Sequence, residues 1–140
     1  MLKRKGFTAI EILVVLVIIG TLAALAWPNY MAIKEKSLNR EAQASLALIR
    51  AAEKIYRMEG GFYYPYGVIT NNVGLINTNL RLSLTESASA SWTISLDGRS
   101  TGSAQALRQG GGGADGRVWS IDFPGGVDPT CSGGTYCPSP

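Results

Sequence analysis

Few residues in this 140-residue chain have the types and spacing needed for chemistry. There is no histidine, so the commonest general base and the commonest transition-metal ligand are both missing from the sequence. No nucleophile, base and orienting partner group together, and no glycine-rich phosphate loop joins a strand to a helix. The sequence therefore predicts neither an enzyme nor a resident cofactor. Two features remain. Cys131 and Cys137, the only cysteines, stand six residues apart, which is wrong for C-x-x-C redox chemistry. Two thiolates without histidine also make a poor zinc site, so in an exported segment the pair predicts a disulfide loop, stabilising by roughly 2 to 3 kcal/mol. The second feature is Glu11, the one ionisable side chain in the twenty-one residues from Phe7 to Trp27.

That stretch, as a helix, would be about 31 Å long, enough to cross the hydrocarbon core of a bilayer. Lys3, Arg4 and Lys5 precede it and no charge occurs from Ile12 through Ile33, which places the N-terminus on the cytoplasmic side and exports everything after about Tyr30. The same three residues account for the whole net charge of +3. From Gly6 onward ten basic residues face ten acidic ones, so no basic surface is predicted and nucleic acid is not an expected partner. A cleavable secretory signal would use the Ala24-Leu25-Ala26 site and free a chain beginning at Trp27. The run is longer than the usual apolar region of such a signal, which has no use for Glu11; a permanent anchor explains the length but not Glu11, and a buried core helix is the third competing reading. A carboxylate inside a membrane costs on the order of 3 kcal/mol and asks for a partner. Cleavage after Gly6 would create an α-amino group on Phe7, one helical turn from Glu11 on the same face. An amine on a second copy serves as well, and such a pair would reward one axial stagger between packed helices.

The elements that position these groups follow from periodicity. Between Ala32 and Glu59 there is no Gly or Pro, and Leu38, Ala42, Leu46, Ile49, Ala52 and Tyr56 trace one apolar stripe at helical spacing. Lys36, Arg40, Glu41, Arg50, Glu53 and Arg57 fall largely outside the stripe, with Glu53 and Arg57 spaced as an i,i+4 ion pair. Gly60-Gly61 predicts the helix end. Gly20 and Pro28 predict a bend near residues 24–28, Gly20 by backbone freedom and Pro28 by its missing donor and ring clash. A helix from Phe7 to about Glu59 would be near 80 Å long, whereas the residues after it form a domain only about 25 Å across. Its first half must therefore pack on lipid or on other copies. From Gly60 to Pro140 there are fifteen glycines and nine charged residues, a loop-rich composition. Phe62-Tyr63-Tyr64-Pro65-Tyr66 predicts a loop packed back on the helix. Alternation over Ser91–Leu96 and Arg117–Phe123 predicts two strands, with a third around Ser103–Arg108 and a flexible loop at Gly110–Gly113. Asp97-Gly98 offers a hairpin turn. The fold class is α+β, a long helix on a small antiparallel sheet, organised as a leader (1–6), an apolar helix (7–30), an amphipathic continuation (31–59) and a β domain (60–140).

The run KGFTAIEILVVLVIIGTLAALAWPNY, Lys5 to Tyr30, resembles the N-terminus of type IV pilins and type II secretion pseudopilins. Gly6, Phe7, Thr8, Ile10, Glu11 and Pro28 match that pattern. Ala9 departs from the usual Leu or Met, and Trp27 from a smaller aliphatic residue. The resemblance covers about the first sixty residues. It implies cleavage after Gly6 and N-methylation of Phe7 by a prepilin peptidase. It also implies a register role for Glu11, local unwinding between Gly20 and Pro28, and storage in a bacterial inner membrane before assembly. The implied partners are other copies of the chain, the assembly machinery of a pilus or secretion system, and the lipid bilayer. In type IV pilins a C-terminal disulfide loop is a surface feature, and Cys131 and Cys137 occupy such a place. Gly113-Ala114-Asp115-Gly116 is similar to the acidic loop through which major pseudopilins hold calcium. Asp115, Asp122 and Asp128 are the corresponding candidates, but their spacing does not reproduce an EF-hand loop and Asp beside Gly is ordinary turn chemistry. No metal is expected. The implied function is a structural filament subunit of a pilus, with a secretion pseudopilin as the alternative and a non-polymerising secreted or anchored binding domain as the second.

Overall fold

A computed structural model describes residues 7–85, 91–99, 101–109 and 116–138. The leader, the Gly110–Gly113 loop and Asp115 lie outside the described residues. One helix, α1 (Ala9–Gly60), holds 52 residues and runs through Gly20 and Pro28 as a single element. It ends where the glycine pair stands: Gly61 adopts φ +80°, a region side chains resist, and its N–H still donates to the Arg57 carbonyl at 2.8 Å. The chain divides into two compact units, one up to Lys34 and one from Glu35 onward.

In the first unit every residue from 7 to 30 is exposed, including Ile10, Leu13, Leu16, Leu22, Leu25 and Trp27. This part of α1 is long and apolar enough to cross a membrane, and its own chain covers none of it.

The second unit is α+β. Five strands, β1 (Ile69–Thr70), β2 (Trp92–Asp97), β3 (Ser103–Arg108), β4 (Val118–Asp122) and β5 (Thr130–Ser132), form an antiparallel sheet in chain order. Trp92, Ile94 and Leu96 are buried from β2, and Trp119, Ile121 and Phe123 from β4 and the residue after it, as period-two alternation predicts. Ala104 and Ala106 of β3 sit between them in register, Ala104 opposite Leu96 and Ile121, Ala106 opposite Ile94 and Trp119. Small residues in the middle strand leave room for large neighbours on both sides. The predicted helix stripe supplies the rest: Ala42, Leu46 and Ile49 are buried in the same cluster, with Leu38, Ala52 and Tyr56 against it.

Several elements differ from the sequence expectation. A second helix, α2 (Val73–Leu80), fills part of the region expected to be loop. Its signs are local: Asn72 caps it by accepting the Leu75 N–H, and Val73, Ile76 and Leu80 recur at helical spacing. The short edge strands β1 and β5 carry too few residues to show a period. The hairpin after Asp97 is wider than a two-residue turn. Gly98 pairs with Tyr66, and the Gly102 N–H donates to Arg99 O at 2.9 Å. Asp97 accepts from the Arg99 side chain and backbone, which pulls its carboxyl down to about 2. Glu53 and Arg57 form no ion pair, and Glu53 is fully buried rather than outside the stripe. Arg57 instead donates to the Tyr63 hydroxyl at 2.7 Å and lies over that ring, because the loop after α1 folds back beside it.

Candidate assembly and processing site

Thr8 stands immediately before α1 and Glu11 three residues later, which is the spacing of a capping box. Glu11 Oε2 accepts from both the Thr8 backbone N–H and the Thr8 hydroxyl, each at 2.7 Å, and the Glu11 N–H points back at Thr8 Oγ1 at 3.4 Å. The carboxylate thus lies in the first turn, where free N–H groups and the helix dipole favour a negative charge. The amine pairing expected for Glu11 leaves out this local role, although Thr-x-x-Glu before an apolar run is a recognised helix-start pattern. Phe7, one residue before Thr8, is 80% exposed, and Gly6 lies outside the described residues.

At the start of the second unit a polar seam pins α1 to the sheet. Glu35, 1% exposed, pairs with Arg108 through Nη2 at 3.1 Å and Nε at 3.3 Å, and with Arg117 Nη2 through Oε2. Burial works against the Glu35 charge, but the hydrogen bonds and charges of both arginines outweigh it and hold the carboxyl below its usual value. The Trp92 ring lies within 5.8 Å of the Arg108 guanidinium and 5.4 Å of that of Arg117. One turn on, Asn39 accepts from Trp119 Nε1 at 3.2 Å and donates to the Tyr136 carbonyl at 2.9 Å, while Trp92 Nε1 donates to the Leu38 carbonyl. Tyr136 belongs to the loop closed by the Cys131–Cys137 disulfide. The cysteine loop is therefore tied to α1 as well as to β4.

Residues 1–27 match the model of the prokaryotic N-terminal methylation motif. The chain is 41% identical over 73 residues to type II secretion system core protein G of Escherichia coli (strain K12), covering 52% of this chain and 47% of that protein. It is 38% identical over 61 residues to the protein of the same name from Pectobacterium carotovorum subsp. carotovorum, covering 44% and 39%. It is 35% identical over 72 residues to the type IV major pilin protein PilA of Myxococcus xanthus (strain DK1622), covering 51% and 31%. The chain thus spans less than half the length of these relatives. No solved structure matches it significantly. The resemblance to type IV pilins and type II secretion pseudopilins is upheld, and with it a long helix on a small antiparallel sheet.

Asp122 and Asp128 line a shallow surface hollow with Ser120, Gly125, Val127 and Thr130, and Asp115 lies outside the described residues. Among the described residues no three His, Cys, Asp or Glu side chains gather around one point.

Proposed function

We propose that this chain is a non-enzymatic structural subunit of a pilus-like filament. It would be held in a bacterial inner membrane as a precursor, cut after Gly6 by a prepilin peptidase, methylated on Phe7 and polymerised by helix packing. The observation that carries the reading is the methylation motif on an apolar helical segment that its own chain leaves entirely exposed. Lipid would cover that segment before assembly and neighbouring copies after it. In the bilayer Glu11 would pair with the Phe7 amine of another copy, and this pairing would select one stagger between helices. The Thr8 cap holds the carboxylate in the first turn of α1, next to its own chain's Phe7. Gly20 and Pro28 would be the places where α1 unwinds in a filament. The partners on this reading are other copies of the chain, the peptidase and the inner-membrane assembly machinery.

A second reading, a pseudopilin of a type II secretion system, is favoured by the core protein G relatives. Fibres sheared from the cell surface and seen by electron microscopy support a pilus; their absence beside a secretion defect supports the pseudopilin. The common premise is tested by the mass of the N-terminal peptide of the membrane-extracted protein together with Glu11→Ala. We expect a chain beginning at Phe7 with one added methyl group, and a variant that inserts in the membrane but does not polymerise. A chain beginning at Trp27, or filaments at normal yield from the variant, refutes it.

A further inference from the structure

Glu53 is the one buried carboxyl among the described residues that no cation meets. Its side chain is 0% exposed, yet it takes part in no ion pair. Oε2 accepts the Tyr64 backbone N–H at 2.9 Å, and Oε1 has no hydrogen-bond partner among the described residues. The cations one turn away on α1 are engaged elsewhere: Arg50 donates to the Gly125 and Val127 carbonyls, and Arg57 to the Tyr63 hydroxyl. From the loop, Tyr64 faces the carboxyl. Its phenol is pushed up by burial and by the nearby Tyr56 and Glu53, and eased by a hydrogen bond from Asn79 of α2. Arg108 of β3 and Arg117, just before β4, are the buried arginines among the described residues, and both are bound to Glu35.

The segment that Glu53 holds is a structural crossing point. Tyr56 of α1 meets Phe62 and Tyr64 edge-on with ring centres at 6.0 and 5.8 Å. Tyr63 is buried against Phe123, 5.1 Å between centres. Gly98 of the hairpin sits so close to Pro65 that a methyl group there would lie 2.0 Å from the Pro65 carbonyl oxygen. The loop thus joins the end of α1 to the β2–β3 hairpin, and among the described residues its one hydrogen bond to a carboxyl is the one from Tyr64 to Glu53.

We propose that Glu53 is a proton-dependent latch for the Phe62–Tyr66 loop, holding it on α1 as a neutral acid and loosening it on ionisation. A neutral carboxyl can accept the Tyr64 N–H on one oxygen and carry its proton on the other. An ionised one leaves charge on an oxygen with no donor, which a buried site resists. Burial is also what raises the Glu53 carboxyl from 4.5 to about 7, with the Tyr64 N–H opposing it. Because the closed-state value is raised, the latch's contribution is complete below 4.5 and is lost as pH rises through about 7. Glu41 and Glu59 are exposed on the same helix. This latch goes beyond the filament reading and does not depend on it.

The test uses the full chain in mild detergent. Wild-type Glu53 is titrated through its side-chain carboxyl carbon by NMR. In parallel, hydrogen exchange at the Tyr64 amide, normalised to its intrinsic rate, is compared between pH 5.5 and pH 8 in wild type and Glu53→Gln. We expect a carboxyl midpoint near 7 and a loss of Tyr64 protection of about thirtyfold over that range, absent in the variant, while the Ala104 and Ala106 amides of β3 keep theirs. A midpoint in the ordinary glutamate range overturns the latch on wild type alone. So does equal pH dependence in Glu53→Gln, or a parallel loss at Ala104 and Ala106, which would make the effect global rather than a release of the loop.

Discussion

Replacing Glu35 by alanine would leave Arg108 and Arg117, 6% and 0% exposed, without the carboxylate that neutralises them. Removing one partner of a buried ion pair typically costs about 3 to 5 kcal/mol, because the surviving charge stays desolvated. Arg108 would keep its hydrogen bonds to the Ser91 and Gln109 carbonyls, which places the expected loss near the lower end, about 3 kcal/mol. Urea unfolding in mild detergent at pH 7, followed through Trp92 and Trp119, reads it directly, since both rings are buried in the second unit. With a slope of about 1.5 kcal/mol per molar urea, the midpoint should fall by roughly 2 M. The sign with pH is set by the depressed Glu35 carboxyl: its stabilisation is present above the ordinary value of 4.5 and is lost as pH falls through the lower folded-state value. The wild-type advantage over Glu35→Ala should therefore shrink in acid. A midpoint shift below about 0.5 M at pH 7, or an advantage that grows in acid, would refute the account of the seam.

Two further outcomes test the packing around the seam and the loop. Gly98→Ala should destabilise the second unit by roughly 2 to 3 kcal/mol in the same urea assay, because its methyl group would meet the Pro65 backbone at 2.0 Å. Reducing the Cys131–Cys137 bridge, which spans a six-residue separation, should cost about 2 kcal/mol, read as a lower urea midpoint in dithiothreitol with no change in Cys131→Ser/Cys137→Ser.

Features that depend on neighbours along the chain are legible in the amino-acid sequence. Gly61 ends α1 where the glycine pair predicts, the apolar stripe from Leu38 to Tyr56 faces the core, and the strands around Ile94, Ala106 and Trp119 form as their alternation requires. Where only a few residues carry the pattern, as in α2, β1 and β5, the period is too short to stand out from a loop-rich composition.

The charged residues show where such reading stops. By sequence alone Glu35 and Glu53 look like ordinary polar positions on an amphipathic helix, and Glu53 even has an arginine at the right spacing. Tertiary structure buries both and gives them opposite fates: residues 73 and 82 positions later in the chain bring Glu35 its cations, while the returning loop brings Glu53 one N–H and takes Arg57 away. Glu11 needed no such information, because its isolation in an apolar run and the motif around it are properties of consecutive residues. Sequence by itself determined the exposed apolar helix and the α+β class, since these rest on local periodicity and composition. Which carboxyl is neutralised and which is left to hold a proton was decided only by the fold, because the dielectric and the partners around a buried charge come from segments far away in the chain.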